Sequence, residues 1–137
     1  MCIKTTMTHC VKAKKDITVY VVRVERQGLI CSPFNDYVWE EDLLYETVIV
    51  RFCVDIRYAN HGFHSYKNVE DAINLASYLS RMKRYFGDTF QVRRAIIPIT
   101  AWYREGYTKD IAYNNRYDGK DCYCSNKLIM KEVLHER

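Results

Sequence analysis

Apolar positions along this chain gather into several short runs that read as strands and one longer segment that reads as a helix. The run Ile17-Thr18-Val19-Tyr20-Val21-Val22-Arg23-Val24 is dense in β-branched and aromatic residues, which fit a pleated, half-buried surface, and it predicts a strand. Gln27-Gly28 is a turn signal, so Leu29-Ile30-Cys31 is expected to return as the second strand of a hairpin. Ser32-Pro33-Phe34-Asn35-Asp36 breaks regular structure, and Trp39 to Leu44 fits a short helix or a loop equally well. Thr47 to Ile56 again reads as a strand. Phe52, Val54 and Ile56 have one parity and point to the core, while Arg51, Asp55 and Arg57 have the other. A further strand is expected from about Thr89 to Thr100, with Pro98 removing a backbone donor and marking an edge or bulge. Residues 102–120, rich in Tyr and Asn, read as a long loop, and a final strand is expected near Asn126 to Val133.

One segment switches to the helical period. Val69, Ala72, Ile73, Ala76, Leu79 and Met82 or Lys83 recur at helical spacing, predicting a helix over 69–86. Asn68 is a favoured N-cap, Asp71 completes a weak capping box, and Glu70 and Asp71 suit the positive end of the helix dipole. Arg81, Lys83 and Arg84 are expected in the last turn, with Gly87 as the stop. Strands, helix, strand, long loop, strand predicts an α+β fold: a mostly antiparallel sheet with one main helix on a face. Residues 1–15 read as a polar lead-in with one short paired segment, and 16–137 as a single domain.

Composition narrows the function classes. The 137 residues are 48% hydrophobic and contain only 5 Gly and 2 Pro, which excludes a disordered or collagen-like chain. The net charge of +4 favours anionic partners, but no run of five or more basic residues occurs, which argues against dedicated nucleic-acid binding. No apolar stretch is long enough to span a bilayer, and residues 1–15 lack the apolar segment of a signal peptide. The 6 cysteines are therefore expected as reduced thiols in a cytoplasmic protein.

Four constellations are candidates for chemistry. Gly62 to Asn68 leads into the helix, where free N–H groups with Ser65, Tyr66 and Lys67 would suit a phosphate; the same residues also suit plain capping, with His64 packed at the sheet edge. Arg51 and Arg57 with Arg93 and Arg94 would grip an anion if Arg57 and Arg93 converge; otherwise they solvate a sheet face. Trp102, Tyr103 and Tyr107, interleaved with Arg104 and Lys109, could stack on a base, or Trp102 could plug the core while the tyrosines cover its rim. His61, His64, Cys122 and Cys124 have the ligand types of a zinc site but not its usual spacing, and no metal is expected. No P-loop, nucleophile elbow or His-Glu-x-x-His motif occurs, so enzymatic activity is not expected.

Asp16-Ile17-Thr18-Val19-Tyr20, the Gly62-Phe63-His64-Ser65-Tyr66 turn with Glu70-Asp71-Ala72, Ala95-Ile96-Ile97-Pro98 before Tyr103 and Gly106, and Ser125-Asn126-Lys127-Leu128-Ile129 occur together. This pattern, covering most of 14–132, resembles a family of small proteins of phages and of gut bacteria that carry prophages. The resemblance implies a common fold and brings no activity. By analogy, small phage proteins of this size often block host defence, some by sequestering cyclic or ADP-ribose-derived nucleotides. The expectation is therefore a non-enzymatic binding protein for a small anionic ligand, in the host cytoplasm. Arg57, His64, Ser65, Tyr66, Lys67, Arg93, Trp102, Tyr103, Tyr107 and Lys127 would be its ligand-binding residues. It needs no cofactor and no membrane, and its pocket could be shared between protomers of a homo-oligomer. The alternatives are a module that inhibits a host protein through a patch of Phe34, Tyr37 and Trp39, and a nucleotide-processing enzyme with His64 as acid or base.

Overall fold

The computed structural model describes residues 2–5, 9–33, 37–47, 62–82, 87–109 and 119–136. Eleven strands form one sheet whose described pairings are all antiparallel, with one helix among the described residues. At its centre β3 (Ile17–Arg26) and β8 (Thr89–Ile97) pair from Ile17↔Ile97 to Glu25↔Thr89. Gln27 and Gly28, with φ of 51° and 79°, turn β3 into β4 (Leu29–Cys31). Two consecutive left-handed residues match the twist of a two-residue hairpin, so this expectation is met.

The Trp39 to Leu44 stretch, expected as helix or loop, is a loop over 40–43 with a turn at Glu41-Asp42, and its two ends belong to strands. β5 (Val38–Trp39) pairs with β4, and β6 (Leu44–Glu46) pairs with β11 (Lys127–Glu136). The expected long loop is also partly strand. Trp102–Lys109 forms β9, which pairs with β10 (Asp121–Ser125), with β1 (Cys2–Thr5) and with β2 (Val11–Lys12). Its Tyr-rich composition reflects an alternating two-faced strand, since Ala101, Arg104, Gly106 and Thr108 are buried and Trp102, Tyr103, Glu105 and Tyr107 only partly so. The lead-in thus contributes two short paired segments to the sheet. Pro98 lies just past the end of β8, outside the ladder, and β8 is central, so the expected edge or bulge is not there. The strand expected over Thr47 to Ile56 falls almost wholly outside the described residues.

The helix α1 spans Val69–Ser80, shorter than expected, and buries Ala72, Leu75, Ala76 and Leu79. Asn68 stands at the N-cap with extended backbone, but its side chain makes no capping bond, so the capping box is not formed. Arg81 closes the helix, and the last turn holds no basic residue. The helix packs with Val22, Val24, Tyr66, Phe90 and Val92 on one face of the sheet. On the opposite face Val19, Val21, Ala95, Ile97, Leu128 and Met130 form a second core with Trp39 and Ala101.

One strand path makes the sheet curl. The order runs β10, β7 (Phe63–Tyr66), β3, β8, β11, so β10 and β11 stand on opposite sides of three strands. Yet only Asn126 separates them in sequence. The sheet must therefore wrap round until its two flanks meet at that residue, where Trp102 N–H donates to the Asn126 side-chain carbonyl at 2.8 Å. The Val19–Met130 core lies inside this curl, with the β4–β6 arm over it: Trp39 sits 5.2 Å from Phe63 and 4.5 Å from Tyr45, ring to ring. No described helix is long and apolar enough to cross a membrane.

Candidate functional site

The pairing register sorts the sequence candidates by face. Ser65 lies opposite Tyr123, and Tyr123 opposite Glu105, so these three point the same way. Lys67, two residues beyond Ser65, reaches over the same face. Its ammonium is 4.9 Å from the centre of the Tyr123 ring and 3.0 Å from the Glu105 carboxylate. Tyr103 stands edge-on to Tyr123 at 5.6 Å, and Tyr107, opposite Asp121, shares the parity of Tyr103 and Glu105. Three neighbouring strands therefore place Lys67, Tyr103, Tyr107, Glu105 and Tyr123 on one continuous strip. All five are only partly buried.

Two groups of the strip, Lys67 and Tyr123, are shifted upward by their surroundings. Desolvation opposes the charge of Lys67, but the hydrogen bond it donates to Glu105, with Tyr123 and the negative charges of Glu105 and Asp121, outweighs it, and its pKa is raised. Burial raises the Tyr123 phenol, while Lys67 pulls the other way. Lys67 therefore stays an ammonium and Tyr123 a neutral phenol at neutral pH. The Ser65 hydroxyl, beside Tyr123 in the register, is buried and has no hydrogen-bond partner among the described residues.

The other expected residues are elsewhere. Tyr66 belongs to the helix-side core, His64 lies opposite Cys124 on that same side, and Trp102 packs there against Cys10, Cys122 and Cys124. Trp102 therefore lines the thiol cluster and not the tyrosine wall, as alternation along β9 requires. Arg93 is buried and engaged: it donates to the Gln91 side chain at 2.8 Å, the Lys131 carbonyl at 2.9 Å and the Glu41 carboxylate at 2.9 Å. Arg94, on the outer face, pairs with Glu132. Lys127 lies opposite Glu46 on β11. Arg57, Arg51 and His61 lie outside the described residues, so the Arg57–Arg93 convergence is not described. Among the described residues no group of three His, Cys, Asp or Glu could hold a metal ion. The patch expected from Phe34, Tyr37 and Trp39 is not formed as such: Trp39 is buried and donates to Ser32 Oγ at 2.8 Å, Tyr37 is exposed, and Phe34 lies outside the described residues.

Sequence reasoning missed Tyr123, Glu105 and Arg23. Tyr123 sits between two cysteines that drew attention as metal ligands, and alternation puts it on the opposite face from them. Arg23 lies within an apolar run that reads as core, and it is core: the side chain is buried with its guanidinium carbon 4.3 Å over the Trp39 ring. No protein-family model, no curated protein and no solved structure matches the chain.

Proposed function

We propose that the chain is a non-enzymatic binding protein for a small anionic ligand, of the nucleotide class, taken up on the β7–β10–β9 strip. The observation that supports this most is the Lys67 ammonium held over the Tyr123 ring beside Tyr103. Tyrosine faces stack on bases of any sequence, and an ammonium attracts phosphate. The neighbouring Glu105 suits a nucleotide better than a simple anion, because a carboxylate can accept from ribose hydroxyls or base N–H groups. The resemblance to phage proteins gives this binding a purpose, the removal of cyclic or ADP-ribose-type signals from the cytoplasm of an infected host.

Titration calorimetry with cyclic dinucleotides and ADP-ribose derivatives tests the reading. Binding is expected to weaken by about 1–3 kcal/mol in Tyr123→Ala, and the ligand should be recovered chemically unchanged. Absence of heat with every one of these ligands would overturn it.

A second reading rests on a separate observation. Leu29, Val38, Leu43 and Leu44 are exposed on the β4–β6 arm together with Tyr37. Exposed apolar side chains gathered on one arm suit a host-protein partner. Capture of one host protein, lost in Leu43→Glu and Leu44→Glu but kept in Lys67→Ala, would favour this reading over the nucleotide.

A further inference from the structure

The interior of the curl holds two arginines that the nucleotide strip does not use. Arg23 is 6% exposed and Arg93 is 6% exposed. They are diagonal neighbours on adjacent strands, since Val21 lies opposite Arg93 and Arg23 opposite Gln91. Arg93 is satisfied by Gln91, Lys131 and Glu41. Arg23 is not. Among the described residues its Nη1 donates only to the adjacent Val22 carbonyl, at 2.9 Å, and its buried Nε meets no partner. Among the described residues no carboxylate pairs with it.

An unmatched buried guanidinium is expensive, and a second cation beside it raises the cost. Burial first, then Arg93, lowers Arg23 to about 9, so it stays charged at neutral pH. Trp39 offsets part of this from above, as an aromatic face does for a cation. The carboxylate on this pair is that of Glu41, whose side chain is 48% exposed and which leads into the turn at Asp42. It reaches Arg93 alone.

We propose that Arg23 and Arg93, roofed by Trp39, form an internal receptor for a small oxyanion, phosphate or the phosphoryl end of a larger molecule, in which the Glu41 carboxylate is the built-in surrogate that the ligand displaces. The tetrahedral oxyanion brings enough acceptors to serve the free Nε of Arg23 and the Nη1 of Arg93 together, which one carboxylate approaching Arg93 does not. This site uses other cations and another ring than the tyrosine strip, although Tyr123 packs on the same inner core as Trp39.

The test uses the full chain with Trp102→Phe, leaving Trp39 as the sole tryptophan reporter. Inorganic phosphate is titrated against chloride at matched ionic strength, following Trp39 emission and melting temperature, and a nucleoside monophosphate is titrated in parallel. A saturable change in emission and a raised melting temperature are expected. Glu41→Ala should tighten the apparent affinity about tenfold by removing the internal competitor. Arg23→Met should abolish the response while remaining folded, because an apolar chain of similar length replaces an unmatched charge. Response to the monophosphate alone, lost in Arg23→Met, assigns the site to a phosphoryl end. No response to either probe in both the parent and Glu41→Ala would overturn the proposal, as would an undiminished response in Arg23→Met. Tyr123→Ala should leave the Trp39 response intact, which separates failure here from failure of the strip.

Discussion

Cys122 and Cys124 are fully buried on the helix side of β10, and the chain holds both thiols protonated. Burial, then the neighbouring Cys124, pushes Cys122 from 9.0 up to about 12; burial, then Cys10, does the same to Cys124. In the unfolded chain these thiols ionise near their ordinary value, so between the two pKa values the unfolded state binds fewer protons. The contribution is therefore complete below pH 9.0 and drains away as pH rises toward about 12, at about 1.4 kcal/mol per pH unit for each thiol. Urea midpoints measured at increasing alkaline pH should fall along this slope, and Cys122→Ala with Cys124→Ala should flatten it. At neutral pH iodoacetamide should label these two positions far faster in urea than in the native chain, since the thiolate is the nucleophile. Arg104, whose Nε lies 3.3 Å from Cys10 Sγ, sits opposite Cys124 in the register.

At the scale of elements, the helix depends on its packed face and not on its cap. Leu79→Ala, which would empty a site 2% exposed, should cost about 2–5 kcal/mol in chemical denaturation. Asn68→Ala should cost well under the ~1 kcal/mol of a working cap, because the Asn68 side chain makes no capping bond. The helix and the β3–β4 hairpin were legible because each is a local pattern: a 3.6 period in one, a two-residue turn between β-branched runs in the other. The strands β5, β6 and β9 were not, since their extended form comes from distant partners. β6 is strand because β11 lies beside it, and Trp102–Lys109 is strand because it has β10 on one flank and β1 and β2 on the other. The strip was half legible for the same reason. Lys67, Tyr103 and Tyr107 stood out by type, but only the register could bring Tyr123 between them and turn Trp102 away.

For the molecule as a whole, Trp39 pins the β4–β6 arm over the inner core. It joins Arg23, Ser32, Tyr45 and Phe63. Trp39→Ala should cost about 3–5 kcal/mol. Hydrogen exchange should then quicken in the arm before it quickens in β3 and β8, which an arm held by its backbone alone would not show. The bend at Asn126 has a different consequence. Because residues 121–136 flank β7 and β8 alike, neither neighbour has its full ladder until that whole stretch has left the ribosome. A chain cut before residue 121 would carry bare hydrogen-bonding edges on β7 and β8 alike, and should aggregate where the chain through residue 136 stays in solution, as light scattering would show.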